Sequence, residues 1–239
     1  MVEKEHSEIE KIALQLYPIG LSDIRYHEMI LAIFRNNIDK ALADYDRNGE
    51  EYSLPANPFN GYIQDNHDAE HAKNQPYDLH KMLINMKLMK ESIAQHKEVY
   101  TNSLLLGNAF YNISHFGNAR LYESAIIGYY SSPYGYNPHW RRLLTDCSLA
   151  ASYYKQAYEQ ATNEEQKARA AYMLAKCERN EYYYTKYYEK SDSEWNQIQD
   201  EVDFLAWEGF QMLKNDYADT DFYQEVIREC GYFRTWVTK

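Results

Sequence analysis

Residues 147–180 read CSLAASYYKQAYEQATNEEQKARAAYMLAKCERN. No proline or glycine interrupts them, and the small and large apolar residues recur at helical spacing. Ala150, Tyr154 and Ala157 stand three and four apart, so on a helix they share one face. Thr162 and Glu165 are spaced as a capping box, which predicts that one helix ends near Ala161 and a second begins there. In the second helix Leu174 and Ala175 pair a large side chain with a small one. Two consecutive helices meeting through small residues predict an all-α fold.

The prediction extends in both directions. From His139 to Lys239 there is no proline, and glycine occurs only at positions 209 and 231, so uninterrupted helical hairpins are expected to the end of the chain. The preceding helix opens with Pro138 in its first turn, where proline is tolerated. Upstream, YDLHKMLINMKLMKESIAQH (77–96) carries Leu79, Met82, Leu83, Met86 and Met89 on one side, read as a core stripe. A first long helix is expected over about 22–45, with Ser22 as N-cap and Ile24, Ile30, Ile33, Phe34, Ile38, Ala41 and Leu42 as its apolar face. Between these lies a polar stretch of about 48–76, long for a compact domain and of the kind often ordered by function. About eight helices result, with two long irregular insertions. The chain divides into 1–98, a helical segment bearing the polar loop, and 99–239, the helical-hairpin region, together one continuous structural unit.

Composition limits the function. The 239 residues carry a formal net charge of −11, with 25 Tyr, 8 Phe and 4 Trp. Such a field repels phosphate backbones, and Trp140-Arg141-Arg142 is too short a basic run to reverse it, so nucleic acid is not an expected partner. So much tyrosine in a helical protein predicts many half-buried seams, because each hydroxyl needs water or a partner. Cys147, Cys177 and Cys230 are odd in number and far apart; they are read as small buried hydrophobes, one bridge being open in an oxidising compartment. No apolar run is long enough to span a membrane, and the first twenty residues lack the apolar segment of a signal peptide.

Three stretches invite a chemical reading. DYDRNG (44–49) begins like an EF-hand loop, with Asp44, Asp46, Asn48 and Gly49 in place, but the twelfth position, where a bidentate acid belongs, is Pro55. It is therefore read as a helix end, with Asn48-Gly49 as a left-handed cap. DNHDAEH (65–71) groups Asp65, His67, Asp68, Glu70 and His71. His67 and His71 would share a face on a helix and could hold Zn²⁺, but the ligand set is incomplete, and a solvated loop with no metal is expected. GYYSSPYGYNPHW (128–140) gathers Tyr129, Tyr130, Tyr134, Tyr136 and Trp140. These either anchor a partner or pin the insertion onto the helices. EYYYTKYY (181–188) is likewise a ligand-facing surface or a packing seam. No nucleophile–base pattern and no glycine-rich phosphate loop is present, so neither catalysis nor a cofactor is expected.

Leu106-Gly107 followed by Phe110 or Tyr111 resembles the first-helix signature of tetratricopeptide repeats, and Ala150, Tyr154 and Ala157 resemble the second. Gly107 would let a neighbouring helix approach. The stretches LLLGNAFYNISHFGNARLY, CSLAASYYKQAYEQATNEEQKARAAYMLAKCERN and YADTDFYQEVIRECGYFRTWV resemble the C-terminal region of uncharacterised tetratricopeptide-like proteins of Bacteroidetes, over roughly residues 57–237. The resemblance implies a right-handed superhelix of antiparallel hairpins. It also implies a cell-envelope location, periplasmic or outer-membrane-associated, with any lipid anchor supplied outside this chain. It associates a cysteine pair with the region of DNHDAEH, where this chain has Asn66 and Ala69, so no zinc or disulfide role carries over. The expected function is a non-enzymatic scaffold binding another protein through Tyr and Trp anchors. The alternatives are a glycan- or small-ligand-binding module using the same aromatics, and a metal-dependent hydrolase built on Asp65, His67, Asp68 and His71.

Overall fold

A computed structural model describes residues 7–16, 19–48, 51–65, 76–124, 135–185 and 208–238. Within them the chain is almost wholly helical. The elements are α1 (Glu8–Leu16), α2 (Leu21–Phe34), α3 (Ile38–Asn48), β1 (Ser53–Leu54), β2 (Tyr77–Asp78), α4 (Leu79–Ala94), α5 (Val99–Asn112), a 3₁₀ turn at Leu121–Ser124, α6 (Pro138–Thr145), α7 (Ser148–Gln160), α8 (Glu164–Tyr183), α9 (Glu208–Asp216), α10 (Asp221–Glu229) and α11 (Gly231–Val237).

The stretch 147–180 forms α7 and α8, which pack on each other. The cap between them sits one residue later than its spacing predicts. Asn163, not Thr162, is the N-cap and accepts from the Gln166 amide, while Gln166 accepts from the Thr162 amide and hydroxyl. Glu165 is thereby released to another task. Its carboxylate accepts the amides of Asp221 and Phe222 in the first turn of α10, where a negative charge meets the positive end of the helix dipole.

Close helix approach follows the small residues. A Cβ on Gly107 would lie 2.6 Å from the ring of Tyr154, so α5 and α7 meet face to face because position 107 has no side chain. Leu106, Ala150, Tyr154 and Ala157 are buried at this seam, and Phe110 stacks on Tyr153 with ring centroids 5.6 Å apart. A Cβ on Gly209 would stand 2.7 Å from that of Ala175, which lets α9 lie against α8 beside Leu174, itself half-buried. The α4 stripe is core as expected, with Leu79, Met82, Leu83 and Met86 buried. Cys147, Cys177 and Cys230 are buried and unbridged.

The N-terminal region departs from the expected single helix over 22–45. The chain breaks at Asn36, whose φ of 58° lies in the left-handed region that asparagine tolerates, and α2 and α3 fold against each other. Lys90 of α4 donates to both the carbonyl and the side-chain oxygen of Asn36, and the Asn36 amide donates to the Tyr153 hydroxyl. Long-range contacts therefore select a turn that local periodicity does not show. The cap is also displaced: Gly20 precedes α2, and its amide is taken by Asp23 rather than by a Ser22 cap. β1, inside the polar stretch, and β2, just after it, form a short antiparallel ladder, Ser53 opposite Asp78 and Leu54 opposite Tyr77. This ladder ties the start of the segment that follows β1 to the start of α4.

Replacing Gly107 with Ala is expected to destabilise the protein by about 1–3 kcal/mol through overpacking against Tyr154, despite the helix propensity gained. Urea unfolding measures it; an equal or higher midpoint would contradict the close α5–α7 contact.

Candidate functional site: a cradled segment

Downstream of β1 the chain crosses α5 and α8 as an irregular segment, turning at residues 58–60 and bending at 63–64. Asn57 starts the run by accepting the Phe59 amide at 3.0 Å, a local turn of the kind asparagine favours. From there, helix side chains take up the backbone carbonyls of the segment. Asn112 Nδ2 donates to the carbonyls of Pro58 at 2.8 Å and Asn60 at 2.9 Å, and Asn108 Nδ2 to that of Phe59 at 2.9 Å. Lys176 Nζ donates to Tyr62 O at 2.7 Å, the Tyr172 hydroxyl to Ile63 O at 3.0 Å, and Asn118 Nδ2 to Gln64 O at 3.0 Å. The helix period explains the alignment. Asn108 and Asn112 are four apart on α5, and Tyr172 and Lys176 are four apart on α8, so each pair rises along one face. Tyr154 donates to Asn108 Oδ1 at 3.0 Å and fixes which way that amide points.

The segment ends in a buried ionic cluster. Asp65 is 5% exposed and Lys176 1%. Asp65 Oδ1 meets Lys176 Nζ at 2.8 Å, Oδ2 pairs with Arg179 Nη2, and the Tyr111 hydroxyl reaches both oxygens at 3.0 Å. Asn180 Nδ2 donates to the Tyr111 hydroxyl at 2.9 Å, which orients it toward the carboxylate. Lys176 also lies over the Tyr111 ring, 4.6 Å from its centroid. Burial pushes the Asp65 pKa up, but Lys176 and Arg179 overcome it and hold the carboxyl below its ordinary value. Burial, helped by Arg179, pulls Lys176 down despite its pairing with Asp65. Burial and the Asp65 charge push the Tyr111 phenol well up, so it stays protonated and able to donate. Beside the cluster a cavity of about 410 Å³ is lined by Ile63, Gln64, Arg179, Glu229, Cys230 and Arg234, among others.

The residues singled out by sequence divide among several places. Asp65 leaves the expected metal group and joins Lys176 and Arg179; His67, Asp68, Glu70 and His71 lie outside the described residues, as do Gly49 and the positions 66 and 69. Asp44 and Asp46 both sit within α3 and turn apart. Asp44 is buried and paired with Lys40 at 2.5 Å, while Asp46 stands 3.5 Å from His80. Among the described residues no three His, Cys, Asp or Glu side chains gather to hold a metal. Tyr136 and Trp140 face inward, 4% and 6% exposed, with Tyr136 edge-on to Tyr122 and Trp140 against His27. They pin the segment ahead of α6 and are not free anchors. Tyr129, Tyr130 and Tyr134 lie outside the described residues. In EYYYTKYY, Tyr182 packs on the core and Tyr184 lies under Arg142 at 4.5 Å, while 186–188 are outside the described residues.

Eight residues of the cradle carry no site reading in the sequence: Asn108, Tyr111, Asn112, Asn118, Tyr172, Lys176, Arg179 and Asn180. The signal was present. Lys176 stands where the apolar period of α8 calls for a hydrophobe, and Asn108 and Asn112 interrupt the apolar run of α5 four residues apart. A buried polar residue at a core position requires a partner.

No protein-family model, curated protein or solved structure matches this chain.

Changing Asp65 to Asn leaves Lys176 and Arg179 buried without their counter-charge and is expected to cost about 3–5 kcal/mol in urea unfolding. Because the folded-state pKa of Asp65 is depressed, its stabilisation is complete above the ordinary carboxylate range, about pH 4, and is lost as pH falls through the lowered value. Stability measured from pH 7 downward should therefore fall less steeply below about pH 4 in the Asn variant than in the parent. Parallel acid limbs would contradict the assignment.

Proposed function

We propose that the protein is a non-enzymatic helical scaffold that acts by holding polypeptide. The observation carrying this reading is the row of side chains on α5 and α8, continued by Asn118, that binds the backbone carbonyls of residues 58–60 and 62–64. Hydrogen bonds to main chain are indifferent to most side chains, and a row of them suits a surface whose ligand is a polypeptide backbone. The seams at Gly107–Tyr154 and Gly209–Ala175 support the further reading of consecutive helices as tetratricopeptide-like antiparallel hairpins stacked into a right-handed superhelix. A partner protein in the bacterial cell envelope, the location that the resemblance to Bacteroidetes proteins implies, completes the proposal. Tyr136 and Trp140 are spent on packing, so neither the scaffold nor the glycan-binding alternative draws its anchors from them.

A photo-crosslinking residue placed at Tyr62, Gln64 or Arg234, around the cradle, is expected to trap a discrete polypeptide from a native envelope fraction. Lanes indistinguishable from the unirradiated control at all three positions would contradict the scaffold reading.

A further inference from the structure

We propose that the cradle is a binding site for an acidic peptide and that residues 58–65 are its occupant in cis, a strap that a partner segment replaces. The inference rests on the scaffold reading and adds the ligand and its regulation. Three observations carry it. First, the main chain of the strap is held through its carbonyls, and its side chains through Asp65, Phe59 and Ile63. Among the described residues the amides of 61–65 donate to nothing, so the strap belongs to no ladder that would tie it permanently. Second, the chain just before it is tied by a ladder of two residues on each side. The helices beneath keep their own contacts, α5 with α7 and α7 with α8.

Third, the recognition has a defined grammar. Phe59 and Ile63 are the buried apolar anchors, and Asp65 is the buried charge, while Asn60 and Gly61 face outward. The ligand is thus a segment with an aromatic residue, an aliphatic residue four positions on, and a carboxylate two positions further. The carboxylate matters most. Among the described residues Lys176 and Arg179 share one anion, so a ligand without it would leave two buried cations unanswered. Beyond that position the ligand chain would continue along the cavity bordered by Arg179 and Arg234.

A strap in cis taxes any ligand in trans, because apparent affinity falls in proportion to the fraction of molecules whose cradle is open. Weakening the strap's own latch should strengthen binding from outside. The probe is a fluorescent peptide of residues 57–66, NPFNGYIQDN, titrated by anisotropy into the full chain and its Asp65→Asn variant. The variant is expected to bind at least about tenfold more tightly than the parent chain, since loss of the carboxylate opens the cis strap. The same peptide carrying Asp65→Asn should bind neither. No saturable binding to either protein, or equal binding of both peptides, overturns the proposal.

Should the variant not fold, hydrogen exchange on the parent chain decides. Amides of 61–65 are expected to exchange by a local opening well before those of α5 and α8. Exchange of the strap only with global unfolding overturns it. A chain that takes no peptide yet still cross-links to a polypeptide at Arg234 keeps the scaffold reading and discards the exchangeable strap.

Discussion

One buried carboxylate organises the centre of this molecule. Asp65 lies in the polar loop, and its partners Tyr111, Lys176 and Arg179 come from α5 and α8. A charge taken out of water is costly, and its pairing repays the cost only when geometry and additional hydrogen bonds are both right. Here the Tyr111 hydroxyl supplies the additional bond and Asn180 orients it. The pairing fixes the place of residue 65 against α5 and α8. The carbonyl contacts from Asn108, Asn112 and Tyr172 then fix the path by which it arrives.

The helices are arranged so that this can happen. Gly107 lets Tyr154 lie flat on α5, and the same tyrosine's hydroxyl holds Asn108 in the orientation that donates to the loop. Packing and recognition thus share one side chain. Burial of Tyr154 pushes its phenol well up, so the donor role does not change over ordinary pH. The abundance of tyrosine acquires a physical reason at these positions, since Tyr111, Tyr154 and Tyr172 each bury a ring and spend a hydroxyl on a defined polar partner.

Much of the helical layer was legible in the sequence, because local periodicity and small residues report directly on helix faces. Gly107, Ala150, Tyr154 and Ala157 sit at the seam their spacing predicts. The break at Asn36 was not legible, because Lys90 and Tyr153 select it from far along the chain. The Asn163 cap was misplaced by one residue because Thr162 satisfies the same pattern. Asp65 was read with its sequence neighbours His67 and His71, whereas its true partners are 46 and more than 100 residues away. A carboxylate's chemistry is set by what faces it in space, and only the lysine at a core position of α8 hinted at the pairing.

The direct test of this account is a double-mutant cycle between Asp65 and Arg179 in urea unfolding, with Asp65→Asn, Arg179→Met and the pair combined. If the loop is latched by this ion pair, the two changes are strongly coupled, by about 2 kcal/mol or more, because removing the second charge relieves the penalty left by removing the first. Additive effects, with coupling near zero, would mean that the cluster does not hold the segment in its cradle.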